Sequence, residues 1–307
     1  PAVLDRGRDD DLLHPGGIIR RDLGRCLEDA CAIDHQIDTK LCQQQSLDGL
    51  LMGQPDAFSV QLQRTLGGGN HFIEVSLDES DTVWLFLHSG SRGVGNKIAA
   101  HHIKVAQTLA ERWWIPLPDN DLAYLVEGTD EFWKYIRELR WAQHYALLNR
   151  EEMMDRVITQ LEYWIGAPVQ QQERINCHHN YTEQETHFGK QVWLSRKGAI
   201  NAEAGRDGLI PGSMGTASYV VVGKGNPLSL NSSPHGAGRE YSRSKARKTF
   251  SREQLQAAMV GIEYRDTDAF IDEIPQAYKP IDRVMADAAD LVEVRHTLHQ
   301  LVNVKGD

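Results

Sequence analysis

The chain has 307 residues, of which 41% are hydrophobic and 25% are charged, so it can form one large domain or two small ones with an ordinary core. Its net charge of −10 argues against a non-specific nucleic-acid-binding protein. No run approaches the roughly 18–20 apolar residues of a membrane span, and no signal peptide is visible. Four cysteines are too few for a disulfide scaffold, so we expect a cytoplasmic protein that does not engage membranes.

The first half of the chain contains two predicted strands and several predicted helices. Charges interleaved with Leu, Ile and Ala over Arg20–Leu50 favour one or two helices. His71–Val75 alternates polar and apolar residues, which predicts a half-buried strand, and the continuous apolar run Thr82–Leu87 predicts a fully buried one. A 3.6-residue period predicts a helix over Asn96–Trp114, and Asp130–Trp164 predicts one or two more.

The second half is richer in glycine and mixes both kinds of element. Strands with loops are expected over Arg174–Ser195, Ile200–Val222 and Leu228–Ser233. Helices are expected over Ser251–Gly261 and Pro280–Val302. Since no internal repeat or linker interrupts the chain, we expect one α+β domain over residues 1–307 with a helical insertion at about 96–165.

Four histidines lie in short segments rich in glycine, asparagine or serine. The segments are GGGNHFIE around His71, HSGSRG from His88, NCHHNY around His179 and HGAGR from His235. Glycine lets the backbone approach a ligand, and histidine supplies a metal ligand or a nucleophilic nitrogen. Each histidine alone is better explained as a packed imidazole, but the four together predict a metal and phosphate centre.

Three of the four, His71, His88 and His179, are the predicted metal ligands, because three neutral imidazoles suit a divalent first-row ion. Their separation along the chain allows no check by motif spacing. The neighbouring His178 either orients His179 through its other ring nitrogen or is merely packed.

His235 differs because arginines follow it. An imidazole with a pKa of about 6.5 is mostly neutral at pH 7, so its lone pair can attack phosphorus. Arg239 and Arg243 would lower that pKa further and stabilise phosphoryl charge. The alternative is a histidine that only hydrogen-bonds phosphate.

Further residues are candidates for nucleotide contacts. The loop from Pro211 to Ser218 offers amides and hydroxyls to an anion, although such loops are often simple turns. Asn70 and Asn180 adjoin predicted metal ligands, and Glu74 can accept a hydrogen bond from a ribose hydroxyl.

Seven motifs occur in order from about residue 63 to residue 306: GGGNHFIE, HSGSRG, NCHHNY, PGSMGT, HGAGR, EIPQAYK and the terminal VKG. In this order they strongly resemble the RtcB family of RNA-splicing ligases. The resemblance implies mixed sheets packed around a central cleft. It also implies GTP and Mn²⁺ as cofactors, and RNA with a 3′-phosphate or 2′,3′-cyclic phosphate end and a 5′-hydroxyl end as substrate, in tRNA splicing or RNA repair.

The resemblance also implies a role for individual residues. His235 would be the nucleophile that carries a covalent guanylate, and the three metal candidates would hold manganese. Tyr278 and Lys305 would recognise guanine; without the resemblance, packing explains Tyr278 and a frayed tail explains Lys305. The other implied nucleotide contacts are Asn70, Glu74, Asn180, Pro211, Ser213, Met214, Ser218, Gly236, Ala237 and Gly238. The implied RNA contacts are Arg92, Arg239 and Arg243.

One part of the family pattern is missing. The family carries an aspartate and a cysteine ligand in an Asp-x-Gly-Cys-Gly signature before GGGNH, and nothing here matches it. Because the chain starts at Pro1 and not at methionine, we expect an incomplete N-terminus; a paralogue that has lost the segment is the alternative. We expect a monomer that, as given, binds one metal poorly and ligates weakly or not at all. The competing hypotheses are a metal-dependent phosphoesterase and a catalytically silent RNA- or nucleotide-binding remnant.

Overall fold

The computed structural model describes Ala2–Leu4 and residues 71–305. Asn70 and the helices predicted over Arg20–Leu50 lie outside the described residues. Arg92 is described only as the first residue of a helix, and its side chain is outside the description. The predictions for these residues stay predictions.

The described residues fall into two compact units, of which residues 89–149 form the helical one. The helices are α1 (Arg92–Arg112), a 3₁₀ turn (Asn120–Leu122) and α2 (Asp130–Ile165), which continues into the other unit. Val94 and Ile98 of α1 pack with an apolar stripe of α2 that includes Trp141 and Tyr145. Both predicted helices are confirmed, and the single-domain organisation stays a prediction. No helix among the described residues is long and apolar enough to cross a bilayer.

The described part of the other unit contains twelve strands and the remaining helices. The strands are β1 (Ala2–Leu4), β2 (Phe72–Leu77), β3 (Val83–His88), β4 (Gln171–Arg174), β5 (Asn180–His187), β6 (Lys190–Lys197), β7 (Ala199–Asn201), β8 (Asp207–Ile210), β9 (Ser218–Gly223), β10 (Ser232–Pro234), β11 (Glu263–Tyr264) and β12 (Val292–Lys305). The helices are α3 (Arg243–Thr249), α4 (Arg252–Ala258) and α5 (Ile281–Asp287), with 3₁₀ turns at Pro227–Ser229, Asp268–Glu273 and Pro275–Ala277. The α+β class is therefore confirmed.

The main sheet has the order β4-β1-β3-β2-β12-β9-β8, with antiparallel neighbours, and β11 adds to β12 in parallel. Two small sheets, β10-β7 and the hairpin β5-β6, complete the strands of this unit. One face of β2 and β3 packs on Met154 and Val157 of α2, and the other face contributes Trp84 and Phe86 to a second cluster. β3 is buried as predicted, but β2 is buried on both faces and not half-buried.

The helix predicted over Pro280–Val302 is wrong beyond Asp287. From Val292 the chain forms β12, where Leu298, Gln300 and Val302 are buried at every second position and all residues from Val302 to Lys305 are buried. A period of two with β-branched valines favours a strand. β2 and β9, which pair with β12 on its two sides, supply the backbone partners that no local pattern reveals.

The alternation in β12 predicts unequal effects of two truncations. Leu298 is fully buried and Val294 is 44% exposed. We expect Leu298→Ala to lower the free energy of unfolding by about 2–5 kcal/mol, through lost burial and a residual cavity. Val294→Ala should change it by about 0.5 kcal/mol or less. Urea unfolding measures both, and equal losses would contradict this placement of the strand.

Candidate active site: a histidine cluster at four strand ends

Each of the four predicted site histidines lies at the end of a strand. His71 directly precedes β2, and His88 is the last residue of β3. His179 directly precedes β5, and His235 directly follows β10. Since β2 and β3 are antiparallel and Phe72 pairs with His88, the start of β2 and the end of β3 lie at the same edge of the sheet.

The four rings lie close together, with His88 in the middle. The centroid of its ring is 4.8 Å from that of His179, 5.1 Å from that of His235 and 6.3 Å from that of His71. His179 and His235 stack at 3.9 Å. The structure thus brings together four histidines that span more than half of the described sequence.

Gly198, in the turn between β6 and β7, ties two of these histidines together through its backbone. Its N–H donates to the carbonyl of His179 at 2.7 Å, and its carbonyl accepts from the N–H of His235 at 3.1 Å. Its φ of +68° is a left-handed conformation that glycine adopts without a steric penalty. The side-chain oxygen of Asn180 also accepts from the Gly198 N–H, which fixes this predicted nucleotide contact at the same turn.

Hydrogen bonding determines which ring nitrogens carry protons. Nδ1 of His235 lies 3.2 Å from the carbonyl of Leu209, and a carbonyl only accepts, so this Nδ1 carries the proton and Nε2 keeps its lone pair. Nδ1 of His88, 3.4 Å away, then donates to that Nε2. Nε2 of His179 donates in turn to Nε2 of His88 at 3.2 Å. These three hydrogen bonds leave the lone pair of His179 on its Nδ1.

Burial keeps these imidazoles neutral. It lowers the pKa of His235 to about 4 and that of His179 to about 2, with the cation of Arg150 adding to both shifts. Burial also holds the pKa of His88 well below its usual value. The neutral state of His235 agrees with the sequence prediction, but its cause is burial and Arg150, and not Arg239 or Arg243.

The donor set fits a divalent metal ion. His88, His179 and His235 each offer one nitrogen, and these atoms lie within 4.8 Å of one another. Two imidazole nitrogens bonded to one ion at about 2.0–2.1 Å lie about 3 Å apart when the bonds are perpendicular, close to the 3.2 Å between His88 and His179. An ion bound by both Nε2 atoms would displace the proton that Nε2 of His179 donates to His88, and this proton would move to Nδ1 of His179, which is buried without a hydrogen-bond partner. His71 is not in this closest group and stays a predicted ligand.

Arg150, on α2, is a site residue that sequence reasoning missed. Its Nε donates to the side chain of Asn176 at 2.7 Å, and its Nη2 lies 3.3 Å from Nδ1 of His178. His178 is thus tied to the helix, which holds the segment leading to His179. An arginine in an amphipathic helix carries no local signal of such a role.

Glu74 is buried in β2, three residues after His71. Ser218 and Asn303 donate to its two carboxyl oxygens at 3.3 and 3.1 Å. Burial raises its pKa to about 8, although the hydrogen bond from Ser218 and the charge of Lys305 both oppose the shift. Lys305 is the last residue of β12 and pairs with Phe72. This predicted guanine contact therefore lies within the main sheet and not in a frayed tail.

The PGSMGT loop uses many of its polar groups internally. The N–H groups of Gly212 and Ser213 donate to the hydroxyls of Ser218 and Thr216. Gly215 N–H donates to Gln300, whose side chain also caps two loop carbonyls. These three amides are therefore occupied, which differs from the exposed anion nest expected from the sequence.

The remaining predicted nucleotide contacts lie around this loop and beyond it. A Cβ on Gly236 would meet the carbonyl of Pro211 at 3.2 Å, so the segment after His235 packs on the loop. Met214 and Ala237 are buried, and Gly238 adopts a left-handed φ of +71°.

A charged network surrounds the carboxylates of Asp272 and Glu273. Arg239 donates to Glu273 and to the Tyr278 hydroxyl, and Lys305 pairs with Glu273 at 2.7 Å. Arg243 pairs with Glu273 at 3.4 Å while 46% of its side chain stays exposed. Sequence reasoning did not assign the two carboxylates, although Glu273 opens the EIPQAYK motif.

Known proteins match most of the chain. The family model described as tRNA-splicing ligase RtcB matches residues 43–306. The RNA-splicing ligase RtcB of Escherichia coli (strain K12) is 52% identical over 247 residues, which cover 79% of this chain and 60% of the relative. The tRNA-splicing ligase RtcB of Pyrobaculum aerophilum is 31% identical over 266 residues, 73% of this chain and 55% of the relative. The chain thus spans about 60% of the length of the more similar of these two relatives.

The raised pKa of Glu74 predicts a pH dependence of stability. Its folded pKa of about 8 exceeds the unfolded value of 4.5. The stabilisation from this group is therefore full below about pH 4.5 and is lost as the pH rises through 8. Glu74→Gln mimics the neutral carboxyl, so its free energy of unfolding should fall less than that of the wild type over this range. Denaturant unfolding at several pH values tests this, and parallel curves for the two proteins would contradict it.

Proposed function

The chain belongs to the RtcB family of RNA-splicing ligases, and we propose that it joins RNA ends through a covalent guanylate on His235. The observation that carries the proposal is the tautomer of this histidine. Its Nδ1 proton is committed to the Leu209 carbonyl, which leaves the lone pair on Nε2, and the long hydrogen bond of 3.4 Å from His88 to this nitrogen has to open before Nε2 attacks. A neutral, buried and oriented imidazole nitrogen is a suitable nucleophile for phosphorus.

In the proposed reaction His235 acts as nucleophile and then as leaving group. Nε2 attacks the α-phosphorus of GTP, a phosphorus–nitrogen bond forms, and pyrophosphate leaves with the electrons of the broken phosphorus–oxygen bond. An oxygen of the RNA 3′-phosphate then displaces the imidazole and takes over the guanylyl group. The 5′-hydroxyl of the second RNA end attacks the activated phosphate, loses its proton and displaces GMP. The substrate is RNA with a 3′-phosphate end and a 5′-hydroxyl end. A 2′,3′-cyclic phosphate end first adds water, which breaks the bond to the 2′-oxygen and leaves the 3′-phosphate.

His71, His88 and His179 are the proposed manganese ligands. The 3.2 Å between the Nε2 atoms of His88 and His179 supports this assignment, and so do the neutral states of both rings. When bound, manganese neutralises phosphate charge and acts as a Lewis acid. His235 is kept out of this set because one Nε2 lone pair cannot bind the ion and attack phosphorus at once.

Two groups of side chains are proposed to bind the substrates. Glu74, Tyr278 and Lys305, with the loop residues of the sequence prediction, would contact guanosine. Arg243 is the better supported RNA contact, because nearly half of its side chain is exposed. Four of the five N–H donors of Arg239 already go to Tyr241, Asp272, Glu273 and Tyr278.

We place the reaction in the cytoplasm, carried out by a monomer. The low cysteine content supports a reducing compartment. Since the net charge is −10, RNA binding has to rest on local cations such as those of the α3 segment.

Labelling with [α-³²P]GTP and Mn²⁺ tests the proposed nucleophile. We expect a chain extended to carry the upstream Asp and Cys to acquire a covalent label that is labile in acid and stable in alkali, as a phosphorus–nitrogen bond is. His235→Ala should reduce the label to background. His299→Ala, which changes an exposed histidine of β12, should retain it. Absence of label in a chain that carries the upstream Asp and Cys contradicts the proposal, and phosphate release without label would favour a phosphoesterase.

Manganese binding tests the proposed ligands without relying on catalysis. We expect His88→Ala to weaken Mn²⁺ affinity at least about tenfold, because it removes the central imidazole of the cluster. His299→Ala should bind as the wild type does. Electron paramagnetic resonance of free Mn²⁺ during a titration measures both affinities. Equal affinities in wild type and His88→Ala would contradict this metal site.

A further inference from the structure

Two adjacent carboxylates end the 3₁₀ turn Asp268–Glu273 and are almost fully buried. The side chains of Asp272 and Glu273 are 2% and 7% exposed. The cations that pair with them are Arg239, Arg243, Arg247 and Lys305. Two carboxylates therefore face four cations, and the surplus of positive charge suits an anionic ligand.

Glu273 contacts the two side chains that the proposed function assigns to guanine. One of its oxygens accepts from the Tyr278 hydroxyl at 2.5 Å and pairs with the Lys305 ammonium at 2.7 Å. The other oxygen faces Arg239 and Arg243, each at 3.4 Å. Lys305 is only 4% exposed, so this carboxylate is the anion next to a buried ammonium.

A buried ion pair of this kind contributes little net stability, because desolvation offsets the attraction of the charges. Removing one partner, however, leaves the other as an uncompensated buried charge that has to move or be neutralised. Loss of the Glu273 charge would thus act on the position of Lys305, and loss of the hydrogen-bond acceptor would act on the ring angle of Tyr278.

We infer that Glu273 is a positioning residue: its carboxylate holds the Lys305 ammonium and the Tyr278 ring in the arrangement that receives a guanine nucleotide. The inference rests on the proposed function, in which those two side chains contact guanine. Glu273 itself touches no reacting atom. It acts through its partners and so governs nucleotide affinity, while the transfer step at His235 depends on other contacts.

The neighbouring carboxylate provides a matched control. Asp272 is equally buried, but its side chain faces Arg243 and Arg247 and not Lys305 or Tyr278. Asp272→Asn therefore removes a buried negative charge from the same turn without removing an ion pair or hydrogen bond of Lys305 or Tyr278, and only its longer-range attraction for Lys305 is lost. Tyr278→Phe is a second variant, which keeps the aromatic ring but loses the hydrogen bond to Glu273.

Titration calorimetry with GTP and labelling with [α-³²P]GTP together test the inference. For Glu273→Gln we expect the GTP affinity to fall about tenfold or more, the KM for labelling to rise in parallel, and the labelling rate at saturating GTP to stay within about twofold of wild type. Tyr278→Phe should weaken GTP binding by a smaller factor, and Asp272→Asn should leave it within about twofold.

Each other outcome has a defined meaning. Unchanged or tighter GTP binding by Glu273→Gln overturns the inference, and so does an equal loss in Asp272→Asn, which would indicate a general structural effect. If the wild type is labelled and Glu273→Gln binds GTP with unchanged affinity, the inference is wrong and the proposed function stands. If the wild type binds GTP but acquires no label, the proposed function is wrong. The GTP affinities of the wild type and the variants still decide the role of Glu273. A wild type that does not bind GTP overturns both.

Discussion

The hydrogen bond between Nδ1 of His235 and the carbonyl of Leu209 is the interaction on which the rest of the site depends. Leu209 belongs to β8, and its pairing with Val220 in β9 anchors that carbonyl in the main sheet. Because a carbonyl can only accept, the bond determines the tautomer of His235 and, through it, the proton positions of His88 and His179. One backbone atom thereby sets the direction of three imidazoles, and the chemistry of the centre follows from where their lone pairs point.

The imidazoles of the site are neutral, and its positive charge comes from arginine and lysine side chains, an arrangement that suits a polyanionic ligand. The clustered imidazoles are buried and neutral, so they add no charge of their own to the centre. Cations lie around them, with Arg150 on α2 and Lys305 at the end of β12. The buried carboxylate of Glu273 holds Lys305 in a fixed orientation, and Asn176 accepts a hydrogen bond from Arg150, so the positive field is preorganised and ligand binding requires little reorganisation.

Local patterns along the chain predicted the helices and strands in which buried apolar residues repeat at one regular spacing. The helices α1, α2 and α4 and the apolar strand β3 follow directly from such periods. β12 did not, because its first half alternates weakly and its two halves pair with β9 and β2, strands that come from distant parts of the chain. Similarly, the glycine-rich context marked the four histidines, whereas Arg150 and Glu273 act only through partners far away in sequence.

The sequence by itself determined the family, the α+β class and the identity of the four histidines, because residue types and local motifs are written along the chain. The tertiary structure alone decided which atoms meet. Strand pairing brings His71 beside His88, a glycine turn joins His179 to His235, and β12 carries Lys305 to Glu273. The physical reason is that tautomers, pKa values and ion pairs depend on burial and on distances of a few ångströms between residues that no local pattern connects.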